Sequence, residues 1–145
     1  MPNKFDEFVK KLQKEIFQKE IEDYNEEIVN QCYNPQNWGK PEKEEITVFE
    51  ERRGGPKQYF LGLYIKIEND IITKANFRTD GCGVMIATGN QLTLLIEGKS
   101  IEFAENLKAE DIDNTLKGLP EDEIYFADFV IETLKDIIEK YKLKQ

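Results

Sequence analysis

Ala75-Asn76-Phe77-Arg78-Thr79-Asp80-Gly81-Cys82-Gly83-Val84-Met85-Ile86-Ala87-Thr88 reads as a strand that turns through a Gly-Cys-Gly corner into an apolar helix. The corner carries one of only two cysteines in a chain without histidine. Unpaired N–H groups at a helix start, together with the helix dipole, favour an anion, so a thiolate or a metal-ligating thiol suits this position. The flanking glycines would let a metal, sulfur or another protein approach the backbone closely. The alternative is a tight strand-to-helix corner that buries a small cysteine, as unoxidised cysteines commonly are.

Upstream of the corner the pattern is that of strands. Residues 45–52 alternate, with Ile46, Val48 and Glu50 on one side and Thr47 and Phe49 on the other. Gly54-Gly55-Pro56 turns the chain into residues 59–67, rich in β-branched and aromatic side chains, and Asn69-Asp70 turns it into residues 71–79. Such short turns predict an antiparallel meander. Before it, residues 3–31 predict an amphipathic helix capped by Asn3, with Phe5, Phe8, Leu12 and Ile16 on one face. Ile21, Tyr24 and Ile28 continue the stripe after a one-residue slip, which allows a kink or two segments. Asn34-Pro35-Gln36-Asn37-Trp38-Gly39-Lys40-Pro41 then forms a loop, in which Trp38 is either a core lid or a partner-facing aromatic.

Downstream the chain is helical. Residues 84–96 predict a centrally packed helix, in which Gly89 costs about 1 kcal/mol relative to alanine. Ser100 can cap a short helix over 101–107, and Gly118 closes another over 109–117. The last helix, with Asp122 as its cap, carries Ile124, Ala127, Ile131, Leu134, Ile138 and Tyr141 as a core stripe. A helix, three strands and further helices make an α+β domain.

The 145 residues fit one core, and a formal charge of −9 argues against nucleic acid, which demands a basic face. No run approaches the roughly eighteen apolar residues of a membrane helix, and the N-terminus, Met1-Pro2-Asn3-Lys4-Phe5, lacks the apolar segment of a secretion signal. Two cysteines make no disulfide framework, so a reducing compartment, the cytoplasm, is expected. Nothing in the spacing of Cys32 and Cys82 brings them together, and Cys32 reads as an incidental thiol. Arg52-Arg53-Gly54-Gly55-Pro56-Lys57 reads as a solvated basic turn. Without histidine the commonest general base is missing, and no nucleophile–base–orienter set can be assembled, so an enzyme is not expected. A redox enzyme is disfavoured because Cys82 has no resolving thiol nearby in sequence.

Taken together, the segments resemble the IscU/NifU N-terminal-domain family of iron–sulfur cluster assembly scaffold proteins. Residues 34–39 look like its Asn-Pro-x-Asn-x-Gly signature, 75–88 like its strand–Gly-Cys-Gly–helix signature, and 98–104 like its Gly-Lys-Ser segment. Leu119-Pro120 sits where its last motif begins. The resemblance implies an IscU-like α+β fold, a three-stranded antiparallel sheet packed with helices, over 31–145, preceded by an N-terminal helical extension over 1–30. It also implies a scaffold or accessory role in cluster assembly, iron or an iron–sulfur cluster as cargo, and a cysteine desulfurase or other assembly protein as partner. Of the family's three cysteines only Cys82 is matched. The first falls on Lys57 or Gln58, its aspartate on Tyr59 or Phe60, and the histidine and last cysteine on Tyr125 and Phe126. Clusters are typically held by four thiolate or imidazole ligands. The resemblance therefore points to sulfur or iron handling through Cys82, with Asp80 as a second iron ligand, or to a ligand-depleted interaction module that carries no cluster.

Overall fold

Strand β1 (Val48–Gly54) pairs with β2 (Tyr59–Glu68), and β2 with β3 (Ile71–Thr79), giving an antiparallel meander in the order β1-β2-β3. The computed structural model describes residues 3–145, without the side chains at 17, 18 and 20–23. The sheet follows from alternation: Val48, Leu61, Leu63, Ile65, Ala75 and Phe77 point into the core, with Val48 opposite Ile65 and Leu63 opposite Phe77. On the other face the Tyr64 side chain reaches back over Gly62, where a Cβ would collide with its hydroxyl. That hydroxyl donates to Glu51 (2.6 Å) and accepts from Arg78 (2.9 Å). Burial, reinforced by the Glu51 bond, pushes the Tyr64 phenol up to about 12.

The first strand starts later than residue 45, because Lys43–Glu45 form a single 3-10 turn closed by the Ile46 N–H on the Lys43 carbonyl. Helices α3 (Gly83–Ile96) and α6 (Tyr125–Leu143) cover the inner face of the sheet, and α4 (Ile101–Glu105) and α5 (Ala109–Thr115) pack beside them. Gly89 has a packing role: a Cβ there would lie 2.7 Å from the Phe77 ring. Its helix-propensity cost of about 1 kcal/mol is outweighed by full burial of a phenylalanine, worth about 1.5–3 kcal/mol.

The helical stretch before the loop is divided. Helix α1 (Lys4–Asp23) is capped by Asn3, whose side chain accepts the Asp6 N–H. Asn25 interrupts the run and caps α2 (Glu26–Tyr33), accepting the Ile28 N–H while its amide donates to the Leu116 carbonyl. Helix α2 packs on α3 and buries Ile28 and Val29. Helix α1 touches little beyond α2, so the stripe of Phe5, Phe8, Leu12 and Ile16 lies exposed. Ile21 of that stripe, and residues 1 and 2 of the expected extension, lie outside the described residues.

The last helix begins at Tyr125 and not at an Asp122 cap. Residues Glu121–Glu123 form a 3-10 turn, and Ile124 is exposed while Ala127, Ile131, Leu134, Ile138 and Tyr141 are buried. Helix α3 is central as expected, yet four of its polar residues, Thr88, Asn90, Gln91 and Thr93, are buried. Thr88 and Thr93 donate to the Val84 and Asn90 carbonyls within α3. Asn90 and Gln91 are satisfied from α2 and the loop: the Gln31 amide donates to Gln91, the Asn90 amide donates to Gln31 (3.0 Å) and Gln36 (2.7 Å), and the Asn90 side-chain oxygen accepts the Asn37 N–H. Loop 34–39 is thereby fastened to α3, and it bridges to β3 through the Gly39 N–H on the Phe77 carbonyl (2.7 Å). Trp38 packs its ring edge-on to Phe77 at 5.4 Å and remains about half exposed, a partial lid. Among the described residues no helix is long and apolar enough to cross a membrane.

Candidate functional site: a two-thiol cleft at the Gly-Cys-Gly corner

Strand β3 ends at Thr79, whose hydroxyl accepts the Gly81 N–H at 3.0 Å and starts the corner. Cys82 is the N-cap of α3, with extended backbone (φ −71°, ψ 175°), and its carbonyl accepts the Ile86 N–H. Its side chain makes no capping bond, so the thiol is directed by the corner and packs partly buried against the core. Neither flanking glycine is needed for an unusual φ; both are needed for close approach. A Cβ on Gly81 would meet Met85 at 2.8 Å and the Tyr59 ring at 2.9 Å. A Cβ on Gly83 would stand 2.6 Å from the sulfur of Cys32. Both cysteines are thiols, not a disulfide.

Cys32, near the C-terminal end of α2, and Cys82 line one cleft of about 600 Å³, together with Tyr33, Lys57, Gly83 and Glu123. A cleft of about 660 Å³ between β1 and the end of α6 is lined by Lys40, Phe49, Glu50 and Lys140. It holds no thiol, and two of its lysines are paired, Lys40 with Glu51 and Lys140 with Glu50. The thiol cleft is therefore the candidate site.

Its two charged groups come from the hairpin and from the turn before α6. Lys57 lies over the Tyr59 ring at 6.0 Å. Tyr59 and Tyr125, followed by Cys82 and Glu123, favour its charged form and hold it above the ordinary lysine value, against partial desolvation. Glu123 has one carboxylate oxygen, Oε2, buried without a hydrogen-bond partner. Desolvation, with Asp122 adding to it, raises the Glu123 carboxyl above its usual range, while Lys57 works the other way. Between the ordinary value and this raised one, the folded chain keeps a proton that the unfolded chain has lost. Stability therefore falls as pH rises through that window, and the deficit persists above it. Glu123→Gln is expected to gain stability relative to the native chain as pH rises through the window and to hold that gain at neutral pH. Denaturant titrations at a series of pH values would refute this if the two chains kept a constant difference.

Of the positions where the resemblance expects further ligands, Tyr59, Tyr125 and Phe126 are taken up in aromatic packing. The Tyr59 ring stacks on Phe126 at 5.8 Å, Tyr125 packs on Phe126 at 4.5 Å, and Phe126 is fully buried. Lys57 lines the cleft, whereas Gln58 closes the turn, with φ +53° and its amide on the Gly55 carbonyl. The tip is more than a solvated turn: a Cβ on Gly54 would lie 2.7 Å from the Phe129 ring of α6, and Arg52 pairs with Asp136. Asp80 is occupied structurally, accepting the Phe60 N–H at 2.7 Å and the Arg53 guanidinium at 3.0 Å. The Phe60 bond first, then Arg53, hold its carboxyl below the usual range. It is not among the residues lining the thiol cleft. Among the described residues, no group of three or more Cys, Asp or Glu is placed to hold a metal ion.

Cys32 is the site residue that sequence reasoning passed over. Its one available signal was the second glycine of the corner: a small residue at a helix start without positive φ marks a close approach, and what approaches is Cys32.

The profile of the NifU-like N terminal domain matches residues 23–145. The chain is 34% identical over 132 residues to the iron–sulfur cluster assembly scaffold protein IscU of Aquifex aeolicus, covering 85% of this chain and 78% of that one. It is 36% identical over 124 residues to the iron–sulfur cluster assembly enzyme IscU of Drosophila melanogaster, covering 84% and 80%. With IscU of Escherichia coli K12 the identity is 32%, over 84% of this chain and 96% of that one. In three dimensions it resembles the N-terminal part of a nitrogen-fixing NifU-like protein from Brucella abortus, with a TM-score of 0.55, 16% identity and coverage of 83% and 95%. At that identity the likeness bears on the fold alone.

Proposed function

Because the chain belongs to the NifU-like N terminal domain family, we propose that it serves iron–sulfur cluster assembly as a non-enzymatic sulfur-handling scaffold whose acceptor is Cys82. The observation that carries this reading is the thiol of Cys82 in a cleft shared with a second thiol and the Lys57 ammonium, while aromatic rings stand where the family's histidine and last cysteine are expected. The donor is a protein persulfide of the kind a cysteine desulfurase carries. The Cys82 sulfur attacks the outer sulfur of the donor persulfide, a new S–S bond forms on Cys82, and the donor leaves as its thiolate.

A cluster typically needs four thiolate or imidazole ligands. This cleft offers two thiols, so the chain by itself holds sulfur in transit and leaves the finished cluster to another protein. Iron bound between Cys82 and Asp80 is the weaker branch of the proposal, because both Asp80 oxygens already serve Phe60 and Arg53. A reducing compartment, the cytoplasm, keeps both thiols available for this role.

The test is sulfur loading by a cysteine desulfurase with its cysteine substrate, read by intact mass and by peptide mapping. One added sulfur on Cys82 in samples quenched at the earliest times, absent in Cys82→Ser, is the expected result. A chain that takes no sulfur would instead favour the ligand-depleted interaction module. A stable iron–sulfur chromophore after anaerobic incubation with iron and sulfide would replace sulfur transit by cluster holding.

A further inference from the structure

Resting on the acceptor role of Cys82, we infer that Cys32 is its resolving thiol, releasing the carried sulfur as sulfide inside the chain. The geometry comes from two elements far apart in sequence. Helix α2 brings the Cys32 sulfur against Gly83, close enough that a Cβ there would stand 2.6 Å from it, and Cys82 is the residue bonded to Gly83. Both side chains face the same cleft. A thiol held beside a persulfide reacts intramolecularly, and such proximity is worth many orders of magnitude over the same thiol in dilute solution.

The step balances without an external oxidant. The Cys32 sulfur, giving up its proton, attacks the inner sulfur of the Cys82 persulfide. The Cys32–Cys82 S–S bond forms, and the bond from Cys82 to the carried sulfur breaks. The leaving sulfur takes the electron pair and departs as hydrosulfide, reduced by two electrons. The two cysteine sulfurs together lose those two electrons. A dithiol reductant then returns the disulfide to two thiols by ordinary exchange.

Gly83 provides a variant that separates the thiols while keeping both. Its φ lies outside the left-handed region, so alanine meets no backbone strain, but its Cβ would displace the Cys32 sulfur.

The experiment loads the full chain once with sulfur from a desulfurase, removes the donor, and follows sulfide release and peptide maps without added thiol. In the native chain we expect one sulfide released per persulfide lost and a peptide linking Cys32 to Cys82. In Cys32→Ser the persulfide that loads should persist and release sulfide at least about tenfold more slowly per persulfide, with Gly83→Ala intermediate. Release from Cys32→Ser at the native rate, or loss of persulfide without the Cys32–Cys82 linkage, overturns the inference and leaves Cys82 as acceptor intact. No loading in either chain overturns the acceptor reading and this inference together. Circular dichroism of each variant separates a misfolded chain from a resolving defect. Should Cys32→Ser fail to fold, the Gly83→Ala comparison decides alone, an unchanged release rate overturning the inference.

Discussion

Phe77→Ala is expected to destabilise the chain by about 3–5 kcal/mol, the usual cost of removing a fully buried phenylalanine. The ring supports three elements. It belongs to β3, it fills the space that Gly89 leaves on α3, and it carries the edge of Trp38 from loop 34–39 at 5.4 Å. A cavity there cannot collapse easily, because α3 is also tied to α2 and the loop by the Asn90, Gln31 and Gln36 network. Trp38 is the only tryptophan, so its emission reports the loop directly. Denaturant unfolding should show the loss of stability, and native-state fluorescence should shift toward that of a solvated indole. A loss under 1.5 kcal/mol, on the order of an Ile→Val change, or unchanged emission would show that the ring is not the common support.

Lys57→Cys should turn the thiol cleft into a metal site. It would add a third sulfur to the cleft that already holds Cys82, Cys32 and the partnerless oxygen of Glu123. Three thiolates and a carboxylate suit tetrahedral zinc or cobalt. Cobalt(II) titration should give sulfur-to-metal charge-transfer absorption that disappears in the double variant with Cys82→Ser. Affinity should rise on the order of a hundredfold or more above the native chain, since each added thiolate contributes strongly to such sites. Native-like affinity in Lys57→Cys would mean that the hairpin tip cannot bring position 57 within bonding distance of Cys82. The same substitution at Gln58 should do much less, because that residue turns onto Gly55.

The meander, the order of the helices and the corner were legible because each is written in local signals. Alternation marks strands, glycine and asparagine mark turns, and the apolar run after Gly83 marks a buried helix. The elements that read less well are those settled by neighbours. Residue 45 reads as the start of a strand but belongs to the single turn Lys43–Glu45. Asp122 looks like a cap, yet the turn Glu121–Glu123 places the helix start beyond it. On α1 the stripe of Phe5, Phe8, Leu12 and Ile16 has the period of a core face, and the helix forms, but no element in the described residues covers it. Periodicity states which side of a helix is apolar; it does not say what will pack there.

The site divides the same way. Sequence alone established the Gly81-Cys82-Gly83 corner, the family it marks, and the loss of the family's ligands at Lys57 or Gln58, Tyr125 and Phe126, since these lie in contiguous motifs. Only the tertiary structure decided that Tyr125 and Phe126 pack with Tyr59 as a group of rings, that Asp80 serves as a clasp between β3 and the hairpin, and that Cys32 shares the cleft of Cys82. That last meeting depends on where α2 lies against α3. Its position is set by Ile28 and Val29 in the core and by Gln31 on Asn90, contacts between residues far apart in the chain that no local spacing encodes.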